Sequence, residues 1–75
     1  MNTLPANLQN LTFRECQALD ELITHGCNKP AAKQMGVSIR TLELHLSRAY
    51  RKMDVSNRIQ AVLTWDRFKR EMAAA

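Results

Sequence analysis

The side chains best suited to chemistry in this sequence lie in segment 38–53, and their types favour binding over catalysis. The segment carries a row of residues spaced by three or four positions: Arg40, Leu44, Arg48 and Arg51. On an α-helix this spacing places all of them on one face. Guanidinium groups bind phosphates and guanine edges. The row therefore predicts a face that binds a polyanion.

Glu43 and Leu44 are unusual residues for a basic, solvated face. In the major groove of DNA a carboxylate can accept a hydrogen bond from a cytosine amino group, and an aliphatic side chain can contact a thymine methyl group. Both residues also have local explanations. Single exposed leucines are common, and Glu43 can pair with Arg40 one turn earlier. The sequence leaves these alternatives open.

No arrangement of residues in the sequence indicates an active site or a metal centre. Cys16 and Cys27 do not form a C-x-x-C pair, and the two histidines, His25 and His45, lack a recognised zinc-binding spacing. There is no glycine-rich phosphate loop and no set of residues spaced for nucleophilic catalysis. We therefore expect no enzymatic activity, no cofactor and no metal, with both thiols reduced and largely buried.

Positive charge is concentrated in the middle of the chain. The protein has 75 residues and a formal net charge of +4. Residues 28–53 hold six Lys or Arg against Glu43 alone, a net charge of +5, whereas residues 1–27 have a net charge of −2. A clustered basic segment suits a polyanionic partner. The alternative is a solvated helix face without a partner.

Length and hydropathy predict one small domain located in the cytoplasm. No apolar run approaches the roughly 18–20 residues of a membrane span, and the N-terminus does not have the pattern of a secretory signal. We therefore expect no membrane partner. The scarcity of Gly and Pro and the absence of strand-like alternation predict an all-α fold. We expect residues 1–10 to be a flexible lead-in and residues 11–75 to form the domain.

Four helices are expected to position the basic face. Thr12 and Glu15 match a capping box that begins the first helix, and Gly26 ends it. Asn28 is the expected N-cap of a short second helix, and Ser38 is that of the third. The expected core positions of these three helices are Cys16, Leu19, Leu22, Ile23, Ala31, Ala32, Met35, Ile39, Leu42, Leu46, Ala49 and Met53.

Only the tripeptide 36–38 separates the second helix from the third. Two helices joined by a turn of three or four residues that contains Gly describe a helix-turn-helix. The second helix of that motif lies in the major groove of DNA, with its N-terminal half towards the base edges. The spacing therefore predicts that the third helix contacts double-stranded DNA.

The fourth helix is expected to begin near Ser56. Its apolar residues form two patches displaced around the helix: Ile59, Val62 and Leu63 in the first, and Trp65, Phe68 and Met72 in the second. This is more apolar surface than a three-helix core requires. We expect the second patch to be a dimer interface. The alternative is that it closes the bottom of the core.

Four stretches of the chain together resemble the LuxR-type, or GerE-like, helix-turn-helix domain: "LTFRE", "GCNK", "MGVSIRTLELHL" and "YRKMDVSNR". The resemblance runs from about Leu11 to Trp65 with the spacing of the family intact. It implies a four-helix DNA-binding domain of a bacterial or phage transcription regulator. In that family the third helix is the recognition helix, and the fourth carries dimer contacts.

The basic face and the resemblance together define the expected DNA contacts. They are Asn28, Lys29, Ser38, Arg40, Thr41, Glu43, Leu44, His45, Ser47, Arg48, Arg51 and Lys52. The family usually has Pro where this chain has Phe13, a cation where it has Glu43, and commonly Gly where it has Asp54. An anion at the groove weakens the nonspecific attraction to phosphate.

Two functions remain open on the sequence. One is a sequence-specific regulator that binds two half-sites as a homodimer. The other is a protein-interaction module that forms heterodimers with a larger LuxR-type regulator through the fourth helix, with DNA binding weakened by Glu43. The lack of room for a sensory domain in 75 residues motivates the second. A Glu43→Lys change should alter sequence preference in the first case and create DNA binding in the second.

Overall fold

Four helices surround one apolar core in the computed structural model of the protein, which describes residues 10–74. Helix α1 spans Phe13–His25, α2 spans Asn28–Met35, α3 spans Ile39–Met53 and α4 spans Arg58–Ala74. The all-α, four-helix fold expected from the sequence is confirmed. Of the expected lead-in, residues 1–9 lie outside the described residues.

Helix α1 begins and ends at the residues that the sequence indicates. Thr12 Oγ1 accepts a hydrogen bond from the Glu15 amide at 3.1 Å, and Glu15 Oε1 accepts one from the Thr12 amide at 3.0 Å. This reciprocal capping box satisfies two N–H groups that the helix itself cannot pair. At the other end Gly26 adopts a left-handed φ of 78°, and its amide donates to the Leu22 carbonyl.

The core lies where α1 packs against α2, α3 and, less extensively, α4. Its buried apolar residues are Ala18, Leu19, Leu22, Ala31, Ala32, Met35, Leu42, Leu46, Ala49, Met53, Ala61 and Trp65. Two expected core residues, Ile23 and Ile39, are exposed: Ile23 lies in the last turn of α1 and Ile39 is the first residue of α3, so both lie at the ends of the buried stripes. The expectation of buried thiols is also wrong for Cys27, which is exposed, whereas Cys16 is half-buried against the core.

The turn between α2 and α3 is held by backbone and side-chain bonds. Gly36 has a left-handed φ of 71°, which a residue with a side chain rarely adopts. The Val37 amide donates to the Ala32 carbonyl at 3.0 Å, and the Val37 side chain packs against the core. Ser38 Oγ then accepts from the Thr41 amide at 3.0 Å and begins α3. The turn thereby sets the direction in which α3 leaves α2.

Two helix starts differ from the sequence-based expectation. Asn28 is the first residue of α2, and the residue that precedes it, Cys27, makes no side-chain capping bond. Helix α4 begins at Arg58, two residues after Ser56. There Asn57 Oδ1 accepts from the Gln60 amide at 2.9 Å, and Gln60 Oε1 accepts from the Ser56 amide at 2.8 Å. These bonds close the first turn of α4 and explain its later start.

An ion pair ties the start of α1 to the end of α3. Lys52 Nζ lies 2.8 Å from Glu15 Oε1 and also donates to the Asn10 carbonyl at 3.0 Å. Glu15 is only 3% exposed. Burial raises the pKa of its carboxyl group, but hydrogen bonds from Lys52 and Thr12 outweigh burial, and the pKa is lowered from its ordinary value. The pair holds α3 against α1 from the end opposite the turn.

Candidate nucleic-acid interface

The outer face of α3 is a continuous row of exposed side chains. Arg40, Arg48 and Arg51 are exposed, and Leu44 among them is 49% exposed. The opposite face of α3 is buried in the core. The row is thus presented outward by a helix that α1 and α2 hold from behind. The grouping of these four side chains on one face, expected from their spacing, is what the structure shows.

Glu43 lies beside this row with a free carboxylate. The ion pairs among residues 10–74 include neither Glu43 nor Arg40, so the local pairing considered for these two residues does not form. Glu43 is exposed and lines a pocket together with Ser47. Its carboxylate oxygens therefore remain available to accept hydrogen bonds from a ligand.

Two of the predicted contact residues, Ser38 and Thr41, also hold the start of α3. Ser38 Oγ accepts from the Thr41 amide and donates to Thr41 Oγ1, in both cases at 3.0 Å. The Thr41 hydroxyl keeps its own proton for an outside acceptor. His45, also predicted, is half-buried, whereas Ser47 is exposed.

Lys52 is positioned differently from the prediction. It was expected to contact phosphate, but its ammonium group is bound to Glu15 and to the Asn10 carbonyl. Releasing it would leave the nearly fully buried Glu15 carboxylate without its partner, which is costly. The structure therefore gives Lys52 a role in the fold, and its contact with phosphate stays a prediction.

The start of α2 contributes the two predicted residues Asn28 and Lys29. Lys29 is exposed, and Asn28 is half-buried in the pocket beside α3. Pro30, the third residue of the helix, has no N–H group to pair. Because no side chain caps α2, its first two amides are available to an anion.

A pocket of about 390 Å³ opens where the starts of α2 and α4 meet α3. It is lined by Asn28, Glu43, Leu46, Ser47, Tyr50 and Arg58. Sequence reasoning missed Tyr50 and Arg58 as site residues. One signal was available for Arg58: a cation in the first turn of a helix opposes the helix dipole. Such a residue is stabilised by something other than its own helix.

Trp65, from the second apolar patch of α4, belongs to the core, so it was wrongly predicted to be at a dimer interface. Trp65 is 4% exposed, and its Nε1 donates to Asp20 Oδ1 at 2.8 Å. The Phe68 ring, half-buried, lies 5.1 Å from that of Trp65 between centroids. Met72 follows on the same side of the helix beyond the core and is exposed. The alternative reading of the sequence, in which this patch closes the bottom of the core, therefore holds for Trp65.

Two residues of the first apolar patch of α4, Ile59 and Leu63, are exposed, whereas Val62 is half-buried against the core. Ile59 is 72% exposed and Leu63 is 63% exposed. They lie one helical turn apart, and Leu63 adjoins Arg67 and Arg70 along the same surface. The name "outer face of α4" is used below for these four residues. An apolar pair of this exposure, rimmed by charge, is typical of a contact surface.

The described residues contain no structural sign of a metal centre or a membrane segment. In residues 10–74 no group of three or more His, Cys, Asp or Glu side chains is placed to hold a metal ion. Within the same part of the chain, no helix has the length and apolar character that crossing a bilayer requires.

A helix-turn-helix whose second helix presents an exposed basic row defines a class of DNA-binding domains. The family model described as bacterial regulatory proteins, luxR family, matches residues 9–65. The chain belongs to this family. This membership confirms the resemblance read from the four sequence stretches and identifies a luxR-family helix-turn-helix domain.

A glycerol metabolism activator of Pseudomonas putida is 33% identical to this chain over 60 residues. The match covers 80% of this chain and 27% of that protein. The chain therefore spans about a quarter of the length of this relative. No solved structure matches the chain.

Proposed function

We propose that the protein is a sequence-specific transcription regulator that places α3 in the major groove of double-stranded DNA. The observation that carries this proposal is the exposed row Arg40, Leu44, Arg48 and Arg51 on a helix buried only on its opposite face. A helix with its side chains is about 10–12 Å across and the major groove about 12 Å wide, so α3 fits the groove lengthwise.

Position along α3 assigns different contacts to different residues. In a helix-turn-helix the N-terminal half of the recognition helix is nearest the base edges, which places Arg40, Glu43 and Leu44 there. Arg48 and Arg51 lie further along and suit phosphates. Asn28 and Lys29, at the start of α2, suit the strand that α2 crosses.

Dimerisation through the outer face of α4 would supply a second recognition helix. Ile59 and Leu63 are the exposed apolar residues of this face, and Arg67 and Arg70 continue it along the helix. A two-fold pair of such domains reads two half-sites about 34–36 Å apart. The target of this dimer is chromosomal or phage DNA, so it acts in the cytoplasm. It acts by binding and has no catalytic activity.

The test is duplex binding followed by fluorescence anisotropy over a salt series. We expect affinity to fall steeply with salt, and a selected duplex to bind at least about a thousandfold tighter than random DNA. Equal affinity for all sequences would refute sequence-specific regulation. A folded protein that binds no duplex at low salt would refute the DNA-binding proposal altogether.

The second candidate is a module that forms heterodimers with a larger LuxR-type regulator. It is favoured by the exposure of Ile59 and Leu63, since the same surface accepts a partner helix from another chain. The Glu43→Lys variant separates the two candidates. Changed sequence preference supports the regulator, whereas DNA binding that appears only in the variant supports the module.

A further inference from the structure

Five of the six residues that line the pocket between α2, α3 and α4 have polar side chains, although apolar atoms form most of its surface. Its polar side chains are Asn28, Glu43, Ser47, Tyr50 and Arg58. All except Glu43 carry N–H or O–H groups that can donate. Leu46, which also lines the pocket, is a buried core residue. The pocket thus combines an apolar base in the core with donors supplied by three helices.

Arg58 is anchored within this pocket by the end of α1. Its Nη2 donates to the Gly26 carbonyl, in the residue that ends that helix. A guanidinium group has five N–H donors, so one bond fixes its position and leaves the others for a ligand. The ion pairs among residues 10–74 do not include Arg58. Within the described residues its positive charge is therefore not neutralised by an ion pair.

Tyr50 supports the same side of the pocket. Burial raises the pKa of its phenol, and the charge of Arg58 opposes this only in part. The phenol therefore stays protonated at neutral pH and can donate. A fixed guanidinium group beside amide and hydroxyl donors is the arrangement that binds phosphate oxygens.

The position of the pocket identifies the source of that phosphate. The pocket adjoins Ser47 and Glu43 on α3, whereas Arg58 and Asn28 lie at the starts of the neighbouring helices. Since a helix about 10–12 Å across fills a groove about 12 Å wide, groups on the helices that flank α3, such as Asn28 and Arg58, would meet the sugar-phosphate backbone, whereas Glu43 on α3 itself would lie nearer the base edges.

We propose that this pocket binds one backbone phosphate of the DNA, held by Arg58, Tyr50 and Asn28. The inference rests on the proposed placement of α3 in the major groove and adds Arg58 and Tyr50 to the interface. The Glu43 carboxylate, in the same pocket, repels a phosphate. It thereby restricts the phosphate to the side of the pocket next to Arg58.

Arg58→Gln tests the proposal, with Arg14→Gln as the matched control. Arg14 is an exposed cation on α1 outside the proposed interface, so both variants lose the same charge. Loss of one phosphate contact should weaken binding about tenfold on selected and random duplexes alike. It should also reduce the slope of log affinity against log salt by about one. Arg14→Gln should change neither quantity appreciably.

Duplexes with single neutral methylphosphonate linkages identify the phosphate itself. One such linkage beside the half-site should weaken DNA binding by the wild-type protein about tenfold. It should leave binding by Arg58→Gln unchanged, because that variant no longer makes the contact. The Arg58→Lys variant, which keeps the charge, should recover part of the affinity. Circular dichroism on each variant checks that the Gly26 bond is not needed for folding.

The outcomes distinguish failure of this proposal from failure of the proposed function. If wild-type protein binds duplexes but Arg58→Gln behaves as Arg14→Gln does, the phosphate site is refuted and the regulator stands. If wild-type protein binds no duplex, both are refuted. If millimolar inorganic phosphate stabilises the wild-type fold but not Arg58→Gln, and no methylphosphonate discriminates, the pocket binds a free anion and the DNA source is refuted.

Discussion

Glu43 is an exposed carboxylate beside three exposed arginines on α3, and it makes no ion pair within residues 10–74. An anion near DNA is unfavourable unless a base offers it a donor. In the major groove such donors are the amino groups of cytosine and adenine. We therefore expect Glu43 to restrict the base it faces more than a lysine would.

We predict that Glu43 makes the protein prefer cytosine over thymine at one position of each half-site. The preference should be about tenfold or more, because thymine presents an acceptor where cytosine presents a donor. Glu43→Gln should lose this preference while the preferences at other positions remain. Competitive binding with single-base variants of a selected duplex measures it. An unchanged preference at every position would show that Glu43 does not contact a base.

Asp54 follows the last residue of α3 and has a positive φ of 59°. Among the described residues, no other non-glycine residue has a positive φ. A side chain in this left-handed region costs free energy that glycine avoids. Asp54→Gly should therefore raise the free energy of unfolding by about 0.5 kcal/mol. This net gain is the strain that glycine removes from the folded state minus the conformational entropy that it adds to the unfolded chain. Asp54→Ala should lower it by about 1 kcal/mol. Urea denaturation of both variants measures the difference, and a loss in Asp54→Gly would contradict it.

At the scale of the helices, α3 is held at both ends by different means. The turn at Gly36 and the Ser38 cap set its start, and the Glu15–Lys52 ion pair sets its end. The sequence predicted the glycine turn and the Ser38 cap because both depend on residues close together in the chain. Lys52 and Glu15 are 37 residues apart, so only the packing of α3 on α1 brings them together.

The Glu15–Lys52 pair should make stability depend on acid pH. The pKa of Glu15 in the folded chain is below its ordinary value of 4.5. Its contribution is therefore fully present above pH 4.5 and is lost as the pH falls through the lower, folded-state pKa. Glu15→Gln should lower stability at neutral pH by about 1–2 kcal/mol and remove this part of the acid dependence.

Urea unfolding at several pH values tests that prediction. Glu43→Gln is the control, because it removes an exposed carboxylate that has no ion pair within the described residues. If both variants show the same acid dependence as the wild-type protein, the pair contributes nothing to the pH response.

At the scale of the whole molecule, α4 has a buried side and an exposed apolar side. Ala61 and Trp65 bury one side of it, and the outer face of α4 leaves Ile59 and Leu63 to solvent. In a domain of 75 residues, such a surface adds apolar area that the small core does not use. Assembly through this face would position two α3 helices on one duplex.

We predict that Leu63→Asp prevents self-association. A charge in the middle of an apolar contact is costly to bury, so sedimentation should show the monomer at concentrations where the wild-type protein is dimeric. Affinity for a two-half-site duplex should fall, whereas affinity for a single half-site should not. Thr24→Asp, an exposed change on α1, is the control. A wild-type protein that is monomeric both free and on DNA would contradict the assignment.

The sequence alone predicts the features that depend on near neighbours in the chain. The capping box at Thr12, the ends at Gly26 and Gly36, and the single face shared by Arg40 and Arg48 are all set within one or two turns of helix. The family resemblance came from the same local stretches. Spacing predicts these features because backbone hydrogen bonds and helical periodicity act locally.

Only the tertiary structure decided which side of α4 faces the core. Both of its patches are apolar, so hydropathy alone did not distinguish buried Trp65 from exposed Leu63. Tertiary packing also decided the placement of Lys52, which is bound to Glu15, and of Arg58, which donates to the Gly26 carbonyl beside the pocket between α2, α3 and α4. These placements depend on contacts between segments far apart in the chain, which the packing of the helices creates and local spacing does not encode.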